Sequence, residues 1–278
     1  MRNYIELIRL HKPIPILLFL WPNLWIFFLS KDNQIDYSLL IAIIVSTILV
    51  RSLGCIINDI VDKTIDGKVK RTKYRPLASA ALSVKSAYFL LLLFSIACLS
   101  IYIRFFKSIY LAFIILLLIS AYPFCKRFIL IPQIFLGITA NMGVIVLYVS
   151  SNHIEIYPTI LIYISSIFWT ISYDTIYSIQ DRQCDIVLGL KSASTFLKKN
   201  RYIFSFIFVL QTLTLIFLLF LKQNSLNNFF FFGIAISFLT FYYQYTLFKS
   251  GEPEKCNKAF LNNHWIGMII FLSIIVSR

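Results

Sequence analysis

Nine long apolar runs, separated by shorter polar segments, account for most of the chain. A helix needs about 20 apolar residues to cross the hydrocarbon core of a bilayer, and each run comes close to that length. The pattern predicts an all-α protein, a polytopic membrane helical bundle with about nine transmembrane helices. The predicted spans are approximately 14–30, 37–57, 86–104, 109–125, 128–150, 156–178, 202–221, 228–248 and 260–277.

The polar segments between the spans are short, and none of them resembles a linker or a low-complexity region. The sequence therefore predicts a single transmembrane domain over residues 1–278. Its two longest polar loops are expected at about 58–85 and 179–201.

Composition supports a lipid environment for most of the protein. The chain has 278 residues, of which 59% are hydrophobic and 14% charged, and its mean hydropathy is +0.80. A soluble domain of this length cannot bury so much apolar surface. Five scattered cysteines form no C-x-x-C pair, so neither a disulfide framework nor a zinc site is expected.

The positive charges indicate how the spans are oriented. The net charge is +14, and the basic residues lie between apolar runs, which favours membrane topology over nucleic-acid binding. With the first residues inside, the inner segments hold 20 Lys and Arg and the outer ones hold 5. The bias predicts the N-terminus inside, the C-terminus outside and both long polar loops on the inner face.

Scarce negative charge is concentrated at the end of the second span. The stretch "N-D-I-V-D-K-T-I-D-G-K-V-K-R-T-K-Y-R-P-L" covers residues 58–77 and contains Asp59, Asp62 and Asp66. At positions i, i+3 and i+7 these three side chains fall within about 60° of one another around a helix. The spacing predicts one acidic helix face.

A second acidic cluster follows the sixth span in "Y-D-T-I-Y-S-I-Q-D-R-Q-C-D", residues 173–185. Asp174, Asp181 and Asp185 stand at i, i+7 and i+11, within about 40° if the helix continues. The two clusters hold half of the 12 acidic residues of the chain, on the same predicted side. Because like charges on one helix face repel, a positive partner is expected between them.

The basic residues beside the first cluster suggest what that partner carries. Carboxylate oxygens suit Mg²⁺, which often completes its coordination with substrate phosphates. Two acidic clusters with a basic loop therefore indicate a magnesium–diphosphate site. The basic residues are Lys63, Lys68, Lys70, Arg71, Lys73 and Arg75.

Other interpretations remain open at this stage. The acids could be solvated loop charges, or they could mark the ion pathway of a transporter. Transporter sites tend to lie near the bilayer midplane, whereas these acids lie at span ends. A phosphatidyltransferase of the CDP-alcohol type is set aside, because the expected G-x-x-x-D-x-x-x-D does not follow Asp66-Gly67.

These motifs resemble those of the UbiA-type family of intramembrane aromatic prenyltransferases, most closely its 4-hydroxybenzoate polyprenyltransferases. The family motif N-D-x-x-D-x-x-x-D is complete at residues 58–66, and D-x-x-x-D is present at 181–185. The stretches "R-L-H-K-P-I" (9–14), "Y-P-F-C-K-R-F-I-L-I-P-Q" (122–133) and "F-L-N-N-H-W-I-G" (260–267) are similar too. Departures from the family pattern occur at His11, Pro15, Ala80 and Cys184.

The resemblance implies a helical bundle around a central cavity and a Mg²⁺-dependent transfer step of ubiquinone biosynthesis. A polyprenyl group would pass from its diphosphate to the ring of 4-hydroxybenzoate, ortho to the phenol. Alternatives are another acceptor, such as haem or dihydroxynaphthoate, or an ion-coupled transporter. The implied metal ligands are Asp59, Asp62, Asp66, Asp181 and Asp185, with Asn58.

Roles for the remaining polar residues follow from the same resemblance. Lys70, Arg71 and Arg75 are expected to bind the diphosphate. The two arginines are suited to this because guanidinium groups bind phosphate in a bidentate manner. The acceptor carboxylate is expected to meet Arg127, with Lys126 as second choice. Catalytic roles are expected for Asp59, Asp62, Asp181, Asp185 and Asp174, of which Asp181 or Asp174 would bind the phenol.

Arg51 lies within a predicted span, where an idle charge is costly. It is assigned to acceptor binding, and its side chain is expected to pair with an aspartate of the motifs. The expected location is a bacterial inner membrane or the mitochondrial inner membrane, with the site at the cytoplasmic or matrix face. The expected partners are the two substrates and the lipid bilayer, with no nucleic acid and no obligate protein.

Overall fold

The computed structural model describes residues 1–30, 35–69, 71–221 and 226–277, and these residues form thirteen helices and no strand. The prediction of an all-α protein is confirmed. The helices are α1 (Arg2–Leu7), α2 (Ile14–Phe28), α3 (Tyr37–Val61), α4 (Lys63–Asp66), α5 (Val84–Phe105), α6 (Ile109–Phe128), α7 (Pro132–Ala140), α8 (Met142–Ser150), α9 (Ile156–Leu188), α10 (Ala193–Leu197), α11 (Asn200–Leu219), α12 (Asn228–Phe248) and α13 (Pro253–Ser277).

The nine apolar runs all form helices. Eight helical segments of the described chain are long and apolar enough to cross a membrane, and α2 is a shorter apolar helix of 15 residues. The run at 128–150 forms two helices, α7 and α8, which meet at Asn141. The side-chain amide of Asn141 donates to Gly137 O (2.7 Å) and to Thr170 Oγ1 on α9 (3.0 Å), so the break is tied to a neighbouring helix.

The helix α9 extends further than the hydropathy pattern predicts. The span predicted to end at residue 178 continues to Leu188, so the predicted loop at 179–201 begins only at Gly189. Gly189 has φ +66°, and the amide of Leu190 donates to Asp185 O (2.8 Å), which ends α9 in a left-handed cap. Asp174, Asp181 and Asp185 therefore lie on one continuous helix, which is the condition under which their spacing places them on one face.

The prediction that Asp59, Asp62 and Asp66 share one helix face is wrong in one respect. Asp59 lies in α3, Asp62 caps the end of α3, and Asp66 lies in α4, so one continuous helix does not carry all three. The amide of Asp66 donates to Asp62 O (2.7 Å), which starts a new helical turn directly after the break. The chain then turns through polar residues, where the apolar pattern that stabilises α3 has ended.

The centre of the bundle is aromatic. The rings of Trp25 on α2 and Trp169 on α9 stack 5.4 Å apart, and both side chains are fully buried. Trp25 Nε1 donates to Gly267 O on α13 (3.0 Å), and Trp169 Nε1 donates to Asn263 Oδ1 on the same helix (2.9 Å). A Cβ at Gly267 would lie 2.1 Å from Trp21, so glycine is needed for this close approach. These contacts hold α2, α9 and α13 together beneath the site.

Candidate active site

A cavity of about 1000 Å³ lies where α2 and α13 begin and where α3 and α9 approach their ends. The first acidic cluster contributes Asn58 and Asp59 to its wall, and the second contributes Asp174 and Asp181. Segments more than 100 residues apart in sequence therefore line the same space. The two clusters lie at the same end of the bundle, as the charge pattern predicted.

Asp59 is the most deeply buried acid of the first cluster, with 2% of its side chain exposed. Arg9 Nη2 lies 2.8 Å from both of its carboxylate oxygens. Arg75 Nη1 lies 3.2 Å from Asp59 Oδ1 and also 2.7 Å from Asp66 Oδ2. One guanidinium nitrogen thus bridges two carboxylates of the cluster.

Asp62, the remaining acid of this cluster, pairs with a different arginine. Asp62 Oδ1 lies 3.5 Å from Arg127 Nη2 at the end of α6. Burial raises the pKa of the Asp62 carboxyl, and the positive charges of Lys126 and Arg127 partly oppose that rise. Asp62 and Asp66 are buried beside the cavity but do not line it.

The second cluster is joined to the basic loop by a bidentate ion pair. Arg71 Nε and Nη2 donate to the two oxygens of Asp181, at 3.0 and 2.6 Å. The same guanidinium lies over the ring of Tyr177, 5.4 Å from its centroid. Asp185, one turn further along α9, does not line the cavity. Lys70, which the sequence assigned to diphosphate binding, lies outside the described residues.

The donor chemistry of the two clusters fits a hard divalent cation, because every expected ligand offers oxygen. Among the described residues, however, no three carboxylate, histidine or cysteine side chains converge closely enough to hold an ion. Arginine side chains compensate the acids instead, and Arg75 occupies the space between Asp59 and Asp66. The motif carboxylates could therefore bind a divalent cation only if it displaces these guanidinium groups.

The cavity is also lined by basic side chains that the sequence analysis did not assign to the site. Arg9 and Lys12 line it, together with Arg71 and Arg75. Burial lowers the pKa of the Lys12 ammonium, and the neighbouring Arg9, Arg71 and Arg75 lower it further. This accumulation of positive charge is suited to a polyanionic ligand.

Sequence reasoning missed Arg9 because basic residues before a first span are usually counted as topology signals. The only signal was the stretch "R-L-H-K-P-I" at 9–14. Of the departures from the family pattern, His11 and Pro15 line the cavity, whereas Cys184 is exposed on α9.

The three cations considered for the acceptor carboxylate occupy different positions. Arg51 and Lys126 line the cavity, whereas Arg127 does not. Arg51 forms no ion pair with an aspartate within the described chain, so that prediction is wrong. Its guanidinium lies over the ring of Phe19 (5.3 Å), and its buried Nε has no hydrogen-bond partner among the described residues.

Asp174 lies on the cavity wall with Arg51 and Lys126, and the positive charges of both act on it. The span that carries Arg51 ends in the first acidic cluster, but the aspartates of that cluster pair with other arginines. This part of the cavity therefore combines a carboxylate with a guanidinium that forms no ion pair within the part of the chain that the structure describes.

Comparisons with known proteins cover nearly the whole chain. Residues 19–274 match the model of the UbiA prenyltransferase family. A 4-hydroxybenzoate octaprenyltransferase of Francisella tularensis subsp. mediasiatica (strain FSC147) is 39% identical over 279 residues, covering 99% of this chain and 97% of the relative.

Solved structures share the fold. A UbiA homolog from Aeropyrum pernix K1 aligns with a TM-score of 0.80 at 21% identity, over 95% of this chain and 98% of the other. A UbiA homolog from Archaeoglobus fulgidus, bound to GPP and Mg²⁺, aligns with a TM-score of 0.74 at 16% identity, over 99% of each chain.

Proposed function

Because the chain belongs to the UbiA prenyltransferase family, we propose that it transfers a polyprenyl group from a polyprenyl diphosphate to 4-hydroxybenzoate. One observation carries the proposal: Asp59 and Asp181, from the two family motifs, line one cavity together with the arginines that pair with them. The new bond forms at the ring carbon ortho to the phenol. This is a membrane step of ubiquinone biosynthesis.

A divalent cation, Mg²⁺, would be held by the motif carboxylates and would supply positive charge against the leaving diphosphate. The relative from Archaeoglobus fulgidus binds Mg²⁺ together with GPP, which supports this choice. The residues that would hold it are Asp59, Asp62, Asp66, Asp181 and Asp185, with Asn58 beside them.

The diphosphate is assigned to the basic side of the cavity. Arg71 and Arg75 each present a guanidinium that is now bound to an aspartate. Either group can take phosphate oxygens in the same planar, bidentate manner. Lys12 adds positive charge next to them. When the C–O bond of the donor breaks, the electron pair leaves with the diphosphate into this basic environment.

The acceptor carboxylate is assigned to Arg51, with Lys126 as the second cation. Arg51 is preferred over Arg127 because its side chain lines the cavity and its Nε has no hydrogen-bond partner among the residues that the structure describes. Arg127 is occupied by Asp62. Asp174 lies near both Arg51 and Lys126, and it would accept a hydrogen bond from the phenol. The allylic carbon then bonds to the ring carbon, and that carbon loses its proton to solvent, which restores the aromatic ring.

The protein is an integral membrane protein, and its bacterial relatives indicate an inner membrane. The distribution of Lys and Arg supports an orientation with the cavity at the cytoplasmic face.

The proposal is tested by incubating membranes that contain the protein with Mg²⁺, a long-chain polyprenyl diphosphate and single aromatic acceptors. Prenylated 4-hydroxybenzoate is expected by mass spectrometry, without products from dihydroxynaphthoate or haem. A product from another acceptor alone would overturn the assignment of 4-hydroxybenzoate. Ion flux across vesicles without any product would favour a transporter.

A further inference from the structure

Arg9 is tied to the first acidic cluster from a distant part of the chain. Its Nη2 lies 2.8 Å from both oxygens of Asp59, although 50 residues separate the two. Only 17% of the Arg9 side chain and 2% of the Asp59 side chain are exposed. The ion pair is therefore largely shielded from water. Charge–charge interactions are stronger in such a shielded environment than in water.

The backbone of Arg9 is specialised for this contact. Its φ of +60° is left-handed, a conformation that a non-glycine residue adopts at an energetic cost. This turn follows α1, and Arg9 Nη1 donates to Glu6 O (2.7 Å) at the end of that helix. Strained backbone conformations persist where the surrounding contacts stabilise them, and such positions are frequent at functional sites.

Arg9 contacts both oxygens of Asp59, and Arg75 contacts one of them as well, so a divalent cation must compete with these guanidinium groups for the carboxylate. A cation that takes Asp59 leaves the guanidinium of Arg9 without its carboxylate, close to the positive charges of Lys12, Arg71 and Arg75. The repulsion between the displaced guanidinium and these basic side chains opposes the binding of a divalent cation without diphosphate. A diphosphate in the same cavity would give the displaced guanidinium a new anionic partner.

We infer that Arg9 couples the binding of the divalent cation to the binding of the diphosphate. In the free protein Arg9 occupies Asp59 and opposes the cation; in the loaded protein it binds the diphosphate and stabilises it. Coupling of this kind is reciprocal, so the diphosphate strengthens cation binding by the same factor as the cation strengthens diphosphate binding. The inference deepens the proposed function and rests on it.

The test is a calorimetric titration of Mg²⁺ into the full-length protein in lipid nanodiscs, with and without inorganic diphosphate. Binding is corrected for the complex that Mg²⁺ and diphosphate form in solution. In the unsubstituted protein we expect diphosphate to strengthen Mg²⁺ binding by about 5- to 150-fold, the usual range of coupling between sites.

Arg9→Gln removes the competing cation from Asp59. We expect this variant to bind Mg²⁺ more tightly than the unsubstituted protein when diphosphate is absent, and to show a smaller enhancement when it is present. A merely structural role predicts the opposite, since a distorted site binds Mg²⁺ more weakly. Unchanged Mg²⁺ affinity with unchanged coupling would overturn the inference.

Two further variants complete the test. Arg2→Gln removes the same charge from the exposed face of α1, the helix that precedes Arg9, where Arg2 pairs only with Glu6 among the described residues. It is expected to behave as the unsubstituted protein, and a similar effect of both substitutions would reject a specific role for Arg9. Should Arg9→Gln fail to fold, Arg9→Lys decides. Its ammonium lacks the planar fork, so reduced coupling is expected, and full coupling would reject the inference.

Failure of the proposed function gives a different result. If the unsubstituted protein binds Mg²⁺ neither alone nor with diphosphate, the metal–diphosphate site itself is wrong. If it shows strong coupling that Arg9→Gln leaves intact, the site stands and only the role of Arg9 is rejected.

Discussion

At the scale of single residues, the site is a set of carboxylates that arginines neutralise. Asp59 pairs with Arg9 and Arg75, and Asp181 pairs with Arg71. Each pair places one anion and one cation at the cavity, which is the arrangement needed to receive a metal ion and a polyanion together. Replacing single members of these pairs separates their roles.

Asp59→Asn removes the most buried carboxylate of the cluster while retaining its shape. We expect prenyl transfer to fall by about two to three orders of magnitude, comparable to the loss of a group that stabilises developing charge. Product formation in membranes, normalised to protein content, measures the loss. Asp36→Asn is the matched control, because Asp36 is exposed and caps α3, a task that asparagine also performs. Near-normal turnover of Asp59→Asn would contradict the metal site.

Arg51→Gln and Arg127→Gln distinguish the two arginines assigned to acceptor binding. A hydrogen bond between charged groups contributes about 1.5–3 kcal/mol, so loss of Arg51 should raise the KM for 4-hydroxybenzoate about ten- to a hundredfold. The KM for the prenyl donor should change little. Arg127→Gln should have the weaker effect on the acceptor, because Arg127 lies outside the cavity wall. If Arg127→Gln raised the KM for 4-hydroxybenzoate more than Arg51→Gln, the acceptor carboxylate would be assigned to Arg127 instead.

At the scale of helices, the site depends on α3 and α9 extending beyond their apolar runs. A hydropathy profile ends a span where charged residues begin, but backbone hydrogen bonds continue into the polar segment. The spacing of Asp174, Asp181 and Asp185 is compatible with the longer α9, but the predicted span ended at residue 178. The break of α3 at Asp62 was not predictable, since the same spacing is compatible with a continuous helix.

Gly189 provides a test of how α9 ends. Its φ of +66° is left-handed, and a Cβ there would meet no atom within 4 Å, so only the backbone penalises a substitution. We expect Gly189→Ala to lower the free energy of unfolding by about 1–2 kcal/mol, and Gly189→Asn to cost less. Gly67→Ala is the control, because Gly67 has φ −63° and a Cβ there would make only ordinary van der Waals contacts, 3.8 Å from Lys63 O and 3.9 Å from Thr64 O. Thermal unfolding in lipid nanodiscs measures all three, and an equal loss for Gly67→Ala would contradict the explanation.

At the scale of the whole molecule, the site forms only when distant segments meet. Sequence motifs identified the two acidic clusters and their common face, because periodicity and charge bias are local signals. They did not identify the pairs Arg9–Asp59 and Arg71–Asp181, whose members are 50 and 110 residues apart. Such pairs depend on how α2, α3 and α9 pack, and hydropathy carries no information about that packing.

The proposed metal site predicts that the reaction depends on a divalent cation. We expect a chelator such as EDTA to abolish product formation and added Mg²⁺ to restore it, because the carboxylates otherwise remain bound to arginine. The measurement is the initial rate in membranes across a range of free Mg²⁺. Full activity in excess chelator would show that the arginines alone can bind and activate the diphosphate.

The orientation of the bundle can be measured with a cysteine that the protein already has. Among its five cysteines, Cys184 is exposed near the second acidic cluster, and the other four are buried. If the cavity faces the cytoplasm, a membrane-impermeant maleimide should label Cys184 in inverted vesicles but not in sealed vesicles of native orientation. The opposite pattern should hold for Lys107→Cys combined with Cys184→Ser, because Lys107 is an exposed residue between α5 and α6, at the other end of the predicted spans. Labelling of Cys184 from outside would place the site on the opposite face and reject the orientation derived from the positive charges.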